Sequence, residues 1–178
     1  MEAAQPKPVL DTTTVIQLTP QLLNKTECYC LNEDPNATHQ NLFMGSSLLT
    51  LRSDADEQLL VHLSFNEFVK IKSIQFSGSA DGVEKETNPT SVKVFANRVN
   101  MGFSDAEDVT PTDTLELSEE DLSETGKPKD LSFVKFQRVN SITLFFEENL
   151  GADITAIGGI KINGMAIQGT NVNEIKKC

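Results

Sequence analysis

Tryptophan is absent from this chain, and tyrosine occurs once in 178 residues. Cysteine and histidine are nearly as scarce, at three and two. Each shortage removes a class of chemistry. Sugar-binding clefts and paired-carboxylate glycosidases present aromatic faces to their ligands, so both readings are weakened. Two histidines, His39 and His62, leave few options for a catalytic triad. An odd cysteine count argues against a disulfide framework. Cys28-Tyr29-Cys30 is a C-x-C pair, not the C-x-x-C of a dithiol oxidoreductase, and with two histidines a four-ligand zinc site lacks ligands. The thiols read as reduced and structural. No G-x-S-x-G elbow, P-loop, G-x-G-x-x-G or H-E-x-x-H occurs. A non-enzymatic protein with no cofactor and no metal is expected.

Long apolar runs are missing too. Nothing approaches the roughly 20 residues of a membrane span. The opening MEAAQPKPVLD has no apolar h-region, so no secretory signal is expected, and the location follows as cytoplasmic and nuclear. The Asn-x-Thr sequons at Asn24 and Asn36 then read as chance matches. Positive charge is also short: 15 Lys and Arg face 26 Asp and Glu, for a net −11. Nucleic acid and anionic membrane are poor partners for such a chain, because phosphate neutralisation needs clustered cations. A basic patch on a partner suits it better. The plainer reading is that the charge keeps the domain soluble. A monomer is expected.

What the chain does have is strand-like alternation around an acidic start. Ser53–Phe76 opens on Asp54, Asp56 and Glu57, an acidic lip. Leu59, Val61, Leu63 and Phe65 then point one way, with Gln58, Leu60, His62 and Ser64 opposite. In that strand His62 reads as a packed or solvated residue rather than a base. Asn66-Glu67-Phe68 reads as a short turn before a second strand, Val69–Ser77. The phase slip between Ile71 and Ile74 implies a bulge or bend.

Further short strands are expected at 48–52, 91–97, 114–117, 131–137, 141–147 and in one or two pieces over 154–167. Thr19, with Pro20 after it, and Ser118, with acids after it, each mark a helical turn. Cys28–Phe43 reads as a polar surface loop and a candidate contact surface, and Arg98–Thr112 as a loop plugged by Met101 and Phe103. Eight or nine short strands with almost no helix mean an all-β, jelly-roll β-sandwich, whose closing strands resemble those of galactose-binding-like domains. The expected layout is a disordered lead over 1–9, one domain over 10–170 and a tail over 171–178.

The lip has several readings. Asp54, Asp56 and Glu57 offer hard oxygens to Ca²⁺, but they lack the glycine and distal glutamate of an EF-hand loop. One acid can cap a turn through backbone amides. The lip can also be a partner contact.

Residue by residue, the chain resembles the PITH domain family, the proteasome-interacting domain of thioredoxin-like proteins. Ser53–Leu60 (SDADEQLL) resembles its signature, and Ser91–Arg98 (SVKVFANR) its V-K-L-F-x-N strand. Asp105-Ala106-Glu107 with Pro111–Leu117 is similar to the block that follows. Val134–Phe145 (VKFQRVNSITLF) is similar to its strand pair, and Gly169–Asn173 (GTNVN) to its closing T-N-M-N. The resemblance implies a galactose-binding-like jelly roll that docks on the regulatory particle of the 26S proteasome as an adaptor. Some members carry the domain behind a thioredoxin module. Here the stand-alone type is expected, and without C-x-x-C no thioredoxin activity carries over. The partner-binding residues expected on this reading are Asp54, Asp56, Glu57 and Arg98, with Lys176, Lys177 and Cys178 as a second contact. The Gly78–Pro89 excursion looks longer than the family's, and the end lacks its Asp-Phe-Lys-Arg. The alternative is a small-ligand module, for carbohydrate or a Ca²⁺-dependent ligand.

Overall fold

Ten strands and one short helix follow one another in the computed structural model, which describes residues 15–46, 48–78 and 85–167. They are β1 (Ile16–Gln17), β2 (Tyr29–Leu31), β3 (Leu51–Arg52), β4 (Leu59–Ser77), β5 (Ser91–Ala96), α1 (Phe103–Asp108), β6 (Asp113–Glu116), β7 (Lys129–Asp130), β8 (Val139–Phe146), β9 (Ala156–Ile157) and β10 (Gly159–Ala166). All pairings are antiparallel, in the order β1-β10-β4-β8-β5-β6, with β2 and β7 also on β4 and a separate β3–β9 pair. The expected lead at 1–9, residues 79–84 of the Gly78–Pro89 excursion and the tail at 171–178 lie outside the described residues.

Strand β4 is the organising element. Its first half pairs with β8 through Leu59–Ser64 and with β2 through Leu60–His62. Its second half pairs with β10 through Val69–Ser77 and with β7 through Ser73–Ile74. One 19-residue strand thus changes partners on both edges, which lets the sheet curl into a jelly-roll sandwich. The expected turn at Asn66–Phe68 is not a turn. The chain stays extended, and the β4–β8 ladder is interrupted between Ser64 and Val69. The N–H of Asn66 goes instead to the carbonyl of Leu22, so polar residues here mark a change of partner. The phase slip is a bulge as expected. Ser73 pairs with Asn163 and Ile71 with Gly164, which leaves Lys72 extra and both isoleucines fully buried.

The alternating residues of β4, β5, β8 and β10 fill the main core, where Phe76 meets Phe146 edge-on at 5.9 Å between ring centroids. The opposite face of β4 is also buried. Leu60, Phe95 and Phe145 form a second cluster with Met101 and Ala106. The lid over that cluster corrects the loop expected at Arg98–Thr112: it contains α1. The Asp105 carboxylate accepts the Gly102 N–H at 2.9 Å, and Ala106, fully buried, packs downward. Met101 and Phe103 plug the cluster as expected.

Three other expectations change. The strand expected over Leu131–Gln137 does not form: β7 ends before it at Asp130, and Phe133–Phe136 forms a 3₁₀ turn. Only Leu131 and Phe136 face inward, five residues apart, while Val134 is 87% exposed, so the run could not alternate. The supposed surface loop at 28–43 contains β2 and a 3₁₀ turn over His39–Phe43, with Leu42 buried. Thr19 caps no helix: its hydroxyl accepts the Ile162 N–H at 3.2 Å, although Leu22 N–H does close a turn onto Leu18 O. Ser118 does cap a turn, exchanging bonds with Asp121.

Candidate functional site

The acidic lip crosses from β3 to β4, and its shape depends on Asn32. A polar loop with Asn at a left-handed backbone (φ +68°) is a conformation this residue tolerates better than most. From there Asn32 Oδ1 accepts the Ala55 N–H at 3.0 Å, and its carbonyl accepts the Asp54 N–H at 2.9 Å. Asn32 Nδ2 donates to Asp56 Oδ1 at 2.9 Å and to the Gln58 carbonyl at 2.7 Å. Asp56 Oδ1 also accepts the Gln58 N–H at 3.0 Å. Asp56 therefore serves the turn. The carboxylates of Asp54 and Glu57 make no hydrogen bond or ion pair among the described residues, and Asp54 is exposed. The two alternatives for the lip divide between its residues.

The facing wall comes from the loop between β8 and β9. Asn149 Nδ2 donates to the carbonyls of Ala152 (3.0 Å) and Ile154 (2.8 Å), and its Oδ1 accepts the Gly151 N–H. Thr155 joins the walls. Its hydroxyl donates to Glu57 O at 2.6 Å, and its N–H to Ser53 Oγ at 2.8 Å. Between the walls lies an open cleft of about 680 Å³ lined by Asp56, Glu57, Glu148 and Asp153, and Glu86 extends the rim past Asp153. The lining has no aromatic ring and no cation. No three His, Cys, Asp or Glu side chains gather as metal ligands among the described residues. Such a cleft can receive a cationic surface; it has no platform on which a sugar could stack.

Arg98 does not join this site. Its neighbour Asn97 bonds Ser141 and Arg138, at the start of β8, whereas the lip adjoins Phe146 at the other end. At about 3.4 Å per residue the two ends lie roughly 17 Å apart. Lys176, Lys177 and Cys178 lie outside the described residues. Sequence reasoning missed Asn32, Glu148, Asn149 and Asp153. The only local hints were asparagines in turn-forming company, Asn-Glu-Asp-Pro and Asn-Leu-Gly, and nothing local shows that the two loops meet.

The other reactive groups are spent on structure. His62 is buried, stacked on Tyr29 (ring centroids 4.8 Å apart), and shares a 2.9 Å bond with Thr143. Burial pushes its pKa down, partly offset by Glu27. Burial likewise raises the pKa of Cys28 and strongly raises that of Cys30, which Glu33 raises further. Neither sulfur is poised as a thiolate.

The comparisons with known proteins agree with this architecture. The sequence model of the PITH domain matches residues 12–178. Thioredoxin-like protein 1 of Schizosaccharomyces pombe is 36% identical over 153 residues, covering 83% of this chain and 49% of that protein. PITH domain-containing protein CG6153 of Drosophila melanogaster is 33% identical over 141 residues, and human PITH domain-containing protein 1 is 29% identical over 140; each match covers 76% of this chain and 63% of the relative. The chain thus spans about half to two thirds of these relatives. Among solved structures, it is similar to the family 32 CBM from Clostridium perfringens NanJ in complex with galactose (TM-score 0.58, 10% identity, covering 84% of this chain and 99% of that one). The C-terminal domain of a Bacteroides fragilis chitobiase gives a TM-score of 0.56 at 17% identity, covering 83% and 99%. At such identities these likenesses establish the fold, a galactose-binding-like jelly roll. The match over 12–178 establishes more: this chain belongs to the PITH domain family.

Proposed function

We propose that this domain is a non-enzymatic adaptor that docks on the regulatory particle of the 26S proteasome in cytoplasm and nucleus, with the acidic cleft as its contact. The observation that carries the reading is the cleft itself, where Glu57, its carboxylate unengaged among the described residues, lines walls pinned by asparagine side chains together with Asp56, Glu148 and Asp153, and exposed Asp54 adjoins it in the lip. Pre-set walls lower the ordering cost of binding. A field of one sign favours a basic partner patch and speeds encounter. The half-buried thiols of Cys28 and Cys30, with raised pKa, favour an interaction role over a redox one.

The likeness to galactose- and GalNAc-bound domains is one of fold, and the ring-free lining of the cleft speaks against the small-ligand reading.

The test is affinity capture from cell lysate with the wild-type domain and with Asp54→Asn/Glu57→Gln. Wild-type protein should enrich regulatory-particle subunits by quantitative mass spectrometry, and the double variant, still folded, should lose most of that enrichment. Equal enrichment by both rejects the cleft, and no enrichment over a charge-matched control protein rejects the docking.

A further inference from the structure

A second concavity, of about 320 Å³, lies between the turn at Pro20–Leu23 and the 3₁₀ turn at His39–Phe43. Its character is opposite to that of the acidic cleft. Leu23, Phe43 and the Cys28 thiol supply an apolar floor, and no carboxylate lines it, although acids outnumber bases by 26 to 15 in the whole chain. Its polar side chains are Lys25, His39 and the uncharged Gln40. Lys25 is exposed and makes no ion pair among the described residues. His39 is fixed from behind: Glu33 Oε2 accepts its backbone N–H at 2.7 Å and lies 2.9 Å from Nδ1. A carboxylate there holds an Nδ1–H, and in that tautomer Nε2, on the far side of the ring from Glu33, is a hydrogen-bond acceptor. Among the described residues Nε2 has no partner. The rim carries Met44, 64% exposed, on the segment that also exposes Leu48 (83%) and Leu49 (38%).

A cation, a fixed acceptor, an apolar floor and an apolar rim match one ligand chemistry. We propose that this pocket receives the C-terminal residue of a partner polypeptide. Its apolar side chain lies on Leu23 and Phe43, its terminal carboxylate meets Lys25, and its backbone N–H donates to His39 Nε2. A free fatty acid has the carboxylate and the apolar tail but no N–H for the acceptor. The exposed Met44 rim suits a chain that continues outward, and exposed apolar groups beside a pocket commonly mark such contacts. The volume lies at the lower end of the range of ligand pockets, about 300–1,000 Å³, which suits one residue.

The test uses the full chain and a fluorescein-labelled hexapeptide ending in leucine. Fluorescence anisotropy should show saturable binding, and amide chemical shifts should move at 21–28 and 39–44. The same peptide as its C-terminal amide, or methylated on its last backbone nitrogen, should bind at least tenfold more weakly. Lys25→Glu should weaken the free acid at least tenfold at unchanged circular dichroism, whereas Asp54→Asn in the acidic lip should leave it unaltered. Absence of saturable binding, equal affinity of acid and amide, or shifts confined elsewhere overturns the proposal. Displacement of the peptide by octanoate at equal concentration overturns the polypeptide source.

Discussion

Asn32 illustrates how much one side chain carries at the residue scale. Its amide and carbonyl account for the bonds to Asp54, Ala55, Asp56 and Gln58 that shape the lip. Replacing Asn32 with alanine removes these side-chain bonds and places a poorer residue at φ +68°. We expect a loss of about 1–3 kcal/mol in urea unfolding, more than for Asp54→Ala, whose carboxylate bonds nothing described. Equal losses would show that Asn32 does not hold the lip. His62 gives a second prediction at this scale. Its folded pKa lies below the ordinary 6.5 because burial disfavours the charged ring. The unfolded chain therefore binds the proton more readily, so stability present above about pH 6.5 declines as pH falls toward the folded pKa. Urea midpoints measured from pH 7.5 to 5.5 should fall in wild type and stay flatter in His62→Gln; parallel curves would assign the slope to other groups.

Among the elements, β4 shows both what local pattern reveals and where it stops. Alternation located Leu59–Phe65 and Val69–Ser77, and the slip between Ile71 and Ile74 located the bulge at Lys72. Period-2 patterning reports which residues share a face, and burial of one face generates it. The continuity of the strand through Asn66–Phe68 was not legible, because polar residues suit a turn and a change of pairing partner equally. Helix α1 was missed since six residues are too few to show a helical period, and its start is Gly102, not a Ser or Thr signal. At the bulge, β10 presents Gly164, where an added Cβ would run into the backbone carbonyl of Lys70 and crowd Leu18. Backbone cannot move aside as a flexible side chain can. Gly164→Ala should therefore cost about 1–3 kcal/mol by thermal or urea unfolding, with amide exchange accelerated along β10. An unchanged midpoint would mean the ladder absorbs the methyl group.

For the whole molecule, the decisive quantity is the arrangement of its charge rather than its sum. A net −11 only predicts solubility and a dislike of polyanions. The fold gathers Glu86, Glu148 and Asp153 beside the lip, while Arg98 stands at the other end of β8. If docking uses that cleft, its association rate with purified regulatory particle should fall severalfold between 0.1 and 0.5 M NaCl, because the screening length drops below about 5 Å. A salt-independent rate would point to an apolar contact instead. The sequence by itself determined the all-β class, most strand positions, the bulge and the family, since these rest on periodicity and on motifs contiguous in the chain. Only the tertiary structure decided which acids line one cleft, that Asp56 serves the turn while the carboxylates of Asp54 and Glu57 bond no described residue, and that Arg98 lies apart. Asn32 and Asp56 are 24 residues apart, and Ser53 and Thr155 are 102 apart. Pairing across such distances depends on how β4 changes partners along its length, and no local pattern records it.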